Sequence, residues 1–491
     1  MSGKPAAPPA ERSAAFEGTV LEGRSGRAPA SLADASRIAE AEKLYAQGVA
    51  LHRARKFDDA AKFYDRALKL NPDMPHGYNN LGVLLRTQRK YAAAIAVYQL
   101  GLRADVDNPG IYSNLGNALK DAGRFDEAVA AHRHAVTLAP TSPDTLNNLA
   151  IALKAAGRFR EALDGFEQVI ALKPSHLDAQ WDRALLLLHH GDLARGFPAY
   201  ESRWRLRDVK APAFEQPRWD GTPFPGKTIL LFGEQGFGDT IQFVRYAARV
   251  KALGGTVFVE CRPGLGRLFE GTAGVDRVFE RGSGLPAFDL QCPLMSLPAV
   301  MGTDAATIPS DVPYLQVSAA AIAKARARLD SPGKAFRIGI VWAGSPTHKN
   351  DHNRSLELEP FLRLLEVPGT RRFSLQKGPA RGQLAALGLD SVVTDLDAAI
   401  GDFTDTAAFI CALDLVVTVD SAVAHLAGAL GRPAWVMVPF VPDWRWMEGI
   451  AHSPWYPSLR LFRQPGHGDW SAVVGDIVAA LNQAVAANPG V

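Results

Sequence analysis

Apolar positions in the first two hundred residues recur with a helical step and, on a longer scale, every 34 residues. Small residues form one column: Gly48, Gly82, Gly116, Ala150 and Ala184. Phe57, Tyr91, Phe125, Phe159 and Leu193 form a second, and Ala60, Ala94, Ala128 and Ala162 a third. Pro72, Pro140 and Pro174 mark unit ends, with Val106 where a further proline would fall. Each unit reads as two helices and a turn. The small residues let the helices approach, the aromatic fills space between units, and the proline stops the second helix. Beyond about residue 226 the pattern changes class. Short apolar runs alternate with helical stretches, which predicts βα units and parallel sheets. Strands are expected at 228–232, 256–261, 277–280 and 288–292, with helices at 239–253 and 264–271. A second set follows Ser331-Pro332-Gly333. Its strands are expected at 337–343, 372–376, 392–396, 415–419 and 434–438, its helices near 357–366, 404–412 and 422–430. A last helix covers about 469–487.

The period and its columns resemble the tetratricopeptide repeat, whose units stack into a superhelix with a concave face. Four units are clear and a fifth, degenerate one runs from Asp178 to about Arg205, so the array is set at 37–205. Residues 1–36, rich in Ala, Pro, Gly, Ser and Arg, read as a disordered lead-in without the apolar core of a signal peptide. Residues 206–226 read as an ordered connector, because Trp204 and Trp219 would be costly in a free linker. The remaining segments are 227–330, 335–468 and a terminal helix and tail at 469–491.

One repeat column carries chemistry. Asn80, Asn114 and Asn148 stand two residues before the small position. Mid-helix asparagine is mildly unfavourable, so three in register invite a reason. An amide donates and accepts at once, which suits binding an extended peptide by its backbone. The column resembles the asparagine ladder lining the repeats of the O-linked N-acetylglucosamine transferases. Inter-helix hydrogen bonding within the array is the competing reading.

Composition narrows the choice. A net charge of +3 over 491 residues does not argue for nucleic acid. Three dispersed cysteines (Cys261, Cys292, Cys411) give neither a disulfide framework nor a CxxC metal site, and fit a reducing compartment. No apolar run approaches a membrane span. A cytoplasmic location is expected.

The candidate chemistry starts at Gly233-Glu234-Gln235-Gly236-Phe237-Gly238-Asp239-Thr240, a glycine-rich turn between a strand and a helix. Such turns aim backbone N–H groups and a helix N-terminus at an anion. The spacing is close to GxxxxGK[ST], but Asp239 stands where the lysine belongs, which argues against a triphosphate and for a base. Two consecutive doubly wound units with a cleft between them suggest the GT-B glycosyltransferase fold, with 227–330 as its acceptor-side N-lobe and 335–468 as its nucleotide-sugar C-lobe. The stretch Asp420-Ser421-Ala422-Val423-Ala424-His425-Leu426-Ala427-Gly428-Ala429-Leu430-Gly431-Arg432-Pro433 then resembles the D-[ST]-G-x-x-H-[LI]-A-A-A-L-G-x-P motif of glycosyltransferase family 9, the heptosyltransferases. Ala422 departs from the family glycine. Gly238-Asp239 resembles the family turn whose aspartate is the proposed base, although its proline is absent.

That resemblance implies roles. Ser421 and nearby N–H groups would hold a pyrophosphate, His425 would add a donor, and Asp420 would position a ribose or the loop. Gly344 and Ser345 end the first strand of the second set in a turn suited to phosphate. Arg354, or alternatively Lys349, would neutralise the leaving diphosphate. Gln376 and Lys377 would border the nucleotide, and Thr404 would face the cleft behind an Asp402 cap. Trp444 and Trp446 would either stack on a sugar or base or pack the hinge. The pairing of repeats with such a domain resembles bacterial flagellin and other protein O-glycosyltransferases. The implied activity is inverting, metal-independent transfer from a nucleotide sugar to Ser or Thr of a protein, with flagellin a candidate acceptor, no cofactor, and no nucleic-acid partner. The alternative is a heptosyltransferase-like enzyme acting on lipopolysaccharide or another glycan.

Overall fold

The 34-residue columns become helix contacts. In the computed structural model, which describes residues 31–207, 209, 214–330 and 334–487, the chain divides into two compact units between Pro174 and Ser175. The first unit holds α1 (Leu32–Arg53), α2 (Phe57–Leu70), α3 (Pro75–Thr87), α4 (Tyr91–Ala104), α5 (Pro109–Asp121), α6 (Phe125–Leu138), α7 (Pro143–Ala155) and α8 (Phe159–Leu172). Each repeat is one antiparallel pair. The reason for the small column is direct: a Cβ on Gly82 would lie 2.4 Å from Tyr98 Cε1. The aromatic facing it belongs to a column not singled out above, Tyr64, Tyr98, His132 and Phe166, all fully buried.

Most of the lead-in expected to be disordered lies outside the described residues. Its boundary moves, however, because α1 already runs from Leu32. The Ser31 hydroxyl accepts from the Asp34 N–H at 3.1 Å while the Asp34 carboxylate accepts from the Ser31 N–H at 3.3 Å. This reciprocal cap starts the helix early.

The second unit opens with the fifth repeat, α9 (Leu177–His189) and α10 (Leu193–Tyr200), prolonged by a 3-10 turn at Glu201–Arg205. In the described part of the connector, the Trp219 N–H donates to the Gln291 carbonyl at 2.9 Å, and the Trp219 ring meets Phe224 edge-on at 5.7 Å.

Two parallel sheets follow. The first contains β1 (Thr228–Phe232), β2 (Thr256–Cys261), β3 (Arg277–Glu280) and β4 (Leu290–Pro293) in the order β3-β2-β1-β4. The second contains β5 (Phe336–Val341), β6 (Thr370–Ser374), β7 (Val393–Asp395), β8 (Leu415–Val419), β9 (Ala434–Val438) and β10 (Leu459–Arg463), in the order β10-β9-β8-β5-β6-β7. Counted from its own first strand, that is 3-2-1-4-5-6, the doubly wound order. Alternate residues feed two cores: Ile338, Ile340, Leu415 and Val417 pack under the terminal helix Trp470–Ala486, while Val341, Val416 and Val436 join a core shared with the first sheet and the fifth repeat. Strand β10 and the helix Ala319–Leu329 were not expected. The expected helix at 239–253 is broken into α11 (Phe237–Phe243), a 3-10 turn and a short helix Ala247–Lys251, and the one near 357–366 is a 3-10 helix.

Candidate functional site

In doubly wound sheets, ligands sit outside the carboxyl ends of the strands where the order reverses. The reversal in the first sheet falls between β1 and β4, and in the second between β5 and β8. The Gly233–Thr240 turn leaves β1, the Trp342–Gly344 loop leaves β5, and Asp420-Ser421 leave β8. The two sites meet. A Cβ on Gly238 would stand 2.6 Å from His425 Cδ2 and 3.6 Å from the Ala422 Cα. The N-terminus of α11 is therefore packed against that of the helix Ala422–Ala429, and glycine is required at 238 for this approach.

Asp239 is fixed from both sides. Its Oδ2 accepts the Gly236 N–H at 2.7 Å, and its Oδ1 accepts from Arg445 Nη2 at 2.6 Å. Arg445 lies on the loop after β9. It also donates through Nε to Gln242 Oε1 at 2.7 Å and through Nη1 to Asp443 Oδ1 at 2.9 Å. Its guanidinium lies over the Trp444 ring at 4.3 Å. One buried cation thus ties the carboxylate after β1 to Asp443 after β9. Burial pushes the Asp443 carboxyl up, but Arg445 more than offsets it and holds it below the usual range. Asp420 goes the other way: burial first, then the Asp443 charge, push it up to about 6 against the pull of Arg354.

The phosphate candidates follow the ends of the paired strands β5 and β8. Ser421 caps its helix, accepting the Val423 N–H at 3.3 Å and sharing a hydrogen bond with Thr418 Oγ1 at 3.0 Å. Gly344 donates to Ser355 Oγ at 2.8 Å, and a Cβ there would meet Arg354 Nη2 at 2.7 Å. Arg354 is half-buried and is oriented by Asp351 at 3.4 Å. Lys349 and Ser345 are exposed on the same loop, with Ser345 Oγ bonded to Thr347 Oγ1 at 2.9 Å.

His425 is a packed residue. It stacks on Trp446 at 5.4 Å and shares a hydrogen bond through Nδ1 with the Tyr456 hydroxyl at 3.0 Å. Burial, followed by the Arg445 charge, lowers its pKa to about 3, so the ring is neutral. It offers a donor only when Nε2 carries the proton and Tyr456 donates to Nδ1.

Of the two readings for Trp444 and Trp446 the structure favours packing: they are 3% and 1% exposed, and Trp444 packs against Phe197 and Tyr200 of the fifth repeat. The Gln376 amide cannot border a nucleotide, because its oxygen accepts the Trp342 and Ala343 N–H groups and its nitrogen donates to the Ala343 and Lys377 carbonyls. It pins the end of β6 to that of β5. Lys377 is drawn into an ion pair with Asp397 at 2.6 Å and a bond to the Ile400 carbonyl. Thr404 sits at the start of the helix Phe403–Ala412, capped by Asp402, with its own hydroxyl buried and unpartnered.

In the first unit, Asn80 Nδ2 donates to the Tyr45 hydroxyl at 2.7 Å, Asn114 Nδ2 to Asn79 Oδ1 at 2.8 Å, and Asn148 Nδ2 to Ser113 Oγ at 2.9 Å. Each bond joins neighbouring repeats, so the column does hold the array together. Among the described residues the three side-chain oxygens accept nothing within the chain.

The residues that sequence reasoning undervalued are Arg445 and Asp443. The signal was a charged residue between two tryptophans.

Tetratricopeptide-repeat family models match this chain, one over residues 45–109 and 147–210 and another over 108–175. The protein FlbA of Caulobacter vibrioides is 30% identical over 329 residues, covering 62% of this chain and 54% of its own length. The chain thus spans about half the length of that curated relative. The matched share of this chain exceeds what α1–α10 span, so the likeness extends into the α/β region. Similar solved structures include YrrB, described as a tetratricopeptide-repeat protein with an unusual peptide-binding site (21% identical, TM-score 0.31, 36% of this chain and 94% of that one). Another is MamA (18% identical, TM-score 0.32, 36% of this chain and 100% of that one). Among the described residues no helix is long and apolar enough to cross a membrane.

Proposed function

We propose that the α/β region is a GT-B-type, inverting, metal-independent glycosyltransferase, and that it moves a sugar from a nucleotide sugar to Ser or Thr of a protein held by the repeats. The observation that supports this best is the meeting of two strand-order reversals at Gly238 and His425, with Asp239 on one side and Ser421 and Arg354 on the other. Tetratricopeptide repeats point to a protein partner, and the side-chain oxygens of Asn80, Asn114 and Asn148, on partly exposed residues, suit the N–H groups of an extended peptide. The likeness to FlbA extends beyond the repeats, which supports treating array and α/β region as one functional layout. Flagellin is the acceptor this layout suggests.

In this reading the acceptor hydroxyl oxygen bonds to the anomeric carbon as the bond from that carbon to the diphosphate breaks. The hydroxyl proton goes to a lone pair of Asp239 that neither Gly236 nor Arg445 uses. The Arg445 pair holds the carboxylate in one orientation. The leaving diphosphate gains negative charge, which Arg354 and the N-terminus of the helix Ala422–Ala429 stabilise.

Two measurements test this. A thermal-shift panel of ADP-, UDP-, GDP- and CMP-sugars should single out one nucleotide, with stabilisation of about 2.7 kcal/mol at one hundred times Kd. Asp239→Asn should keep that shift and lose about 10²–10⁴ in transfer rate. Transfer at the wild-type rate would remove Asp239 as the base.

A further inference from the structure

The last repeat contains a buried charge in a place where its siblings have none. Stepping back by 34 from Arg203 gives Val169, Ala135, Gly101 and Ala67, small apolar residues that are all buried. Arg203 is equally buried, at 0% exposure. Its guanidinium is stacked between Tyr200 at 5.0 Å and Trp204 at 4.6 Å. It donates to Glu201, to Ser296 Oγ at 2.7 Å and to Glu234 Oε1 at 3.0 Å. Glu234 is the second residue of the glycine-rich turn. Burial raises its carboxyl pKa against the pull of Arg203, and its other oxygen is buried without a partner. The next turn residue, Gln235, donates to the Tyr200 hydroxyl at 3.1 Å. On its other side Tyr200 packs against Trp444, next to Arg445. The fifth repeat therefore grips both segments that orient Asp239: the turn that carries it and the loop that carries its cation.

We propose that Arg203 is a positioning residue for the reaction, acting through Glu234 to fix the Gly233–Thr240 turn and so the direction of the Asp239 carboxylate. This rests on the glycosyl-transfer reading. It also gives the degenerate repeat a function distinct from the four before it: a brace for the turn and the loop that orient Asp239.

The test uses the full chain. Lysine keeps the charge but lacks the guanidinium fork that meets Ser296 and Glu234 together. Arg203→Lys should lower kcat for transfer by about tenfold or more, because small misplacements of a reacting group are costly, while KM for the nucleotide sugar stays within about twofold. Glu234→Gln should do the same to a smaller extent, since its amide oxygen still accepts from Arg203. Arg203→Met should be the worst of the three, and if it fails to fold the other two still decide. Amide hydrogen exchange is read in parallel: at Gln235–Thr240 it should quicken about tenfold in Arg203→Lys while β1 stays protected. Unchanged turn exchange, or an unchanged kcat beside a lowered melting temperature, overturns the inference. If the wild-type chain neither transfers nor hydrolyses any sugar of the panel, the glycosyl-transfer reading fails instead, and the exchange result still reports whether Arg203 holds the turn.

Discussion

Tyr64, Tyr98, His132, Phe166 and Tyr200 occupy one position in five successive repeats, each 3% exposed or less. In the first four the residue is a plug against a small partner in the preceding helix, as with Tyr98 against Gly82. Volume is what the position requires, and its polar atoms are unevenly provided for: the Tyr64 hydroxyl meets His52 Nδ1 at 3.3 Å, within its own repeat, while the Tyr98 hydroxyl and both His132 nitrogens have no partner. In the fifth repeat the same position has a polar assignment, with the Tyr200 hydroxyl on Gln235. The neighbouring Arg203 position follows suit. A register conserved by packing has been reused to hold a turn. The difference teaches that a degenerate repeat is worth reading against its column, since the residues that depart from it are the ones meeting a different neighbour.

The largest effect should come from Arg203→Met. It leaves Glu234 and Glu201 without the cation they share, and breaking a buried pair this way typically costs about 3–5 kcal/mol. The register-matched Val169→Met introduces only excess volume and should cost about 1–3 kcal/mol, in the first unit. All nine tryptophans lie at Trp181 or beyond, so tryptophan fluorescence in urea follows the second unit alone, and far-UV circular dichroism reports both. If Arg203→Met costs no more than Val169→Met, the charge network is not what holds the fifth repeat in place.

Next in size is the pH response of the first unit. Burial, then Lys120 and Arg86, lower the His132 pKa from 6.5 to about 4. The folded state keeps the ring neutral, whereas the unfolded chain protonates it below about pH 6.5. Stability is therefore fully present above that pH and is lost as pH falls towards 4, by up to about 3 kcal/mol at 1.36 kcal/mol per pKa unit. His132→Phe, which copies Phe166 of the next repeat, should flatten the stability of the first unit across that window and leave it little changed at pH 8. Circular-dichroism melts at pH 8 and pH 5 check this; an unaltered pH slope would place the titration elsewhere.

Much of the fold was legible because it depends on local periodicity. The repeat columns and the strands β1, β2, β3, β8 and β9 are runs whose pattern is set by their own core-facing side chains. Strand β10 was missed because its five residues lie between Pro457 and Pro465 and include Arg460 and Arg463, which leaves neither a continuous apolar run nor a strict alternation to mark it. At the site, the glycine turn and the Asp420–His425 stretch were legible as motifs of contiguous residues. What they do with each other was not. Asp239 and Arg445 are 206 positions apart, and nothing local marks them as partners. Gln376 looked like a ligand contact because a polar residue at a strand end invites that reading, yet its partners are backbone groups, which no sequence pattern displays. Arg203 was legible in principle, as an arginine in a column of alanine, glycine and valine.

The smallest prediction isolates that contrast to a single oxygen. Removing the Tyr98 hydroxyl, as Tyr98→Phe, takes away a buried polar atom that has no partner, so the change should be neutral or stabilising, within about 0.5 kcal/mol. Removing the Tyr200 hydroxyl, as Tyr200→Phe, separates it from Gln235 in the turn, and should cost about 1 kcal/mol, the net worth of an ordinary hydrogen bond. The two substitutions delete the same atom from the same register position, so intrinsic differences between tyrosine and phenylalanine cancel when they are compared. Their difference reports what the fifth repeat adds through the turn. If both cost the same, the Tyr200 contact is incidental, and the grip on the turn rests on Arg203 alone.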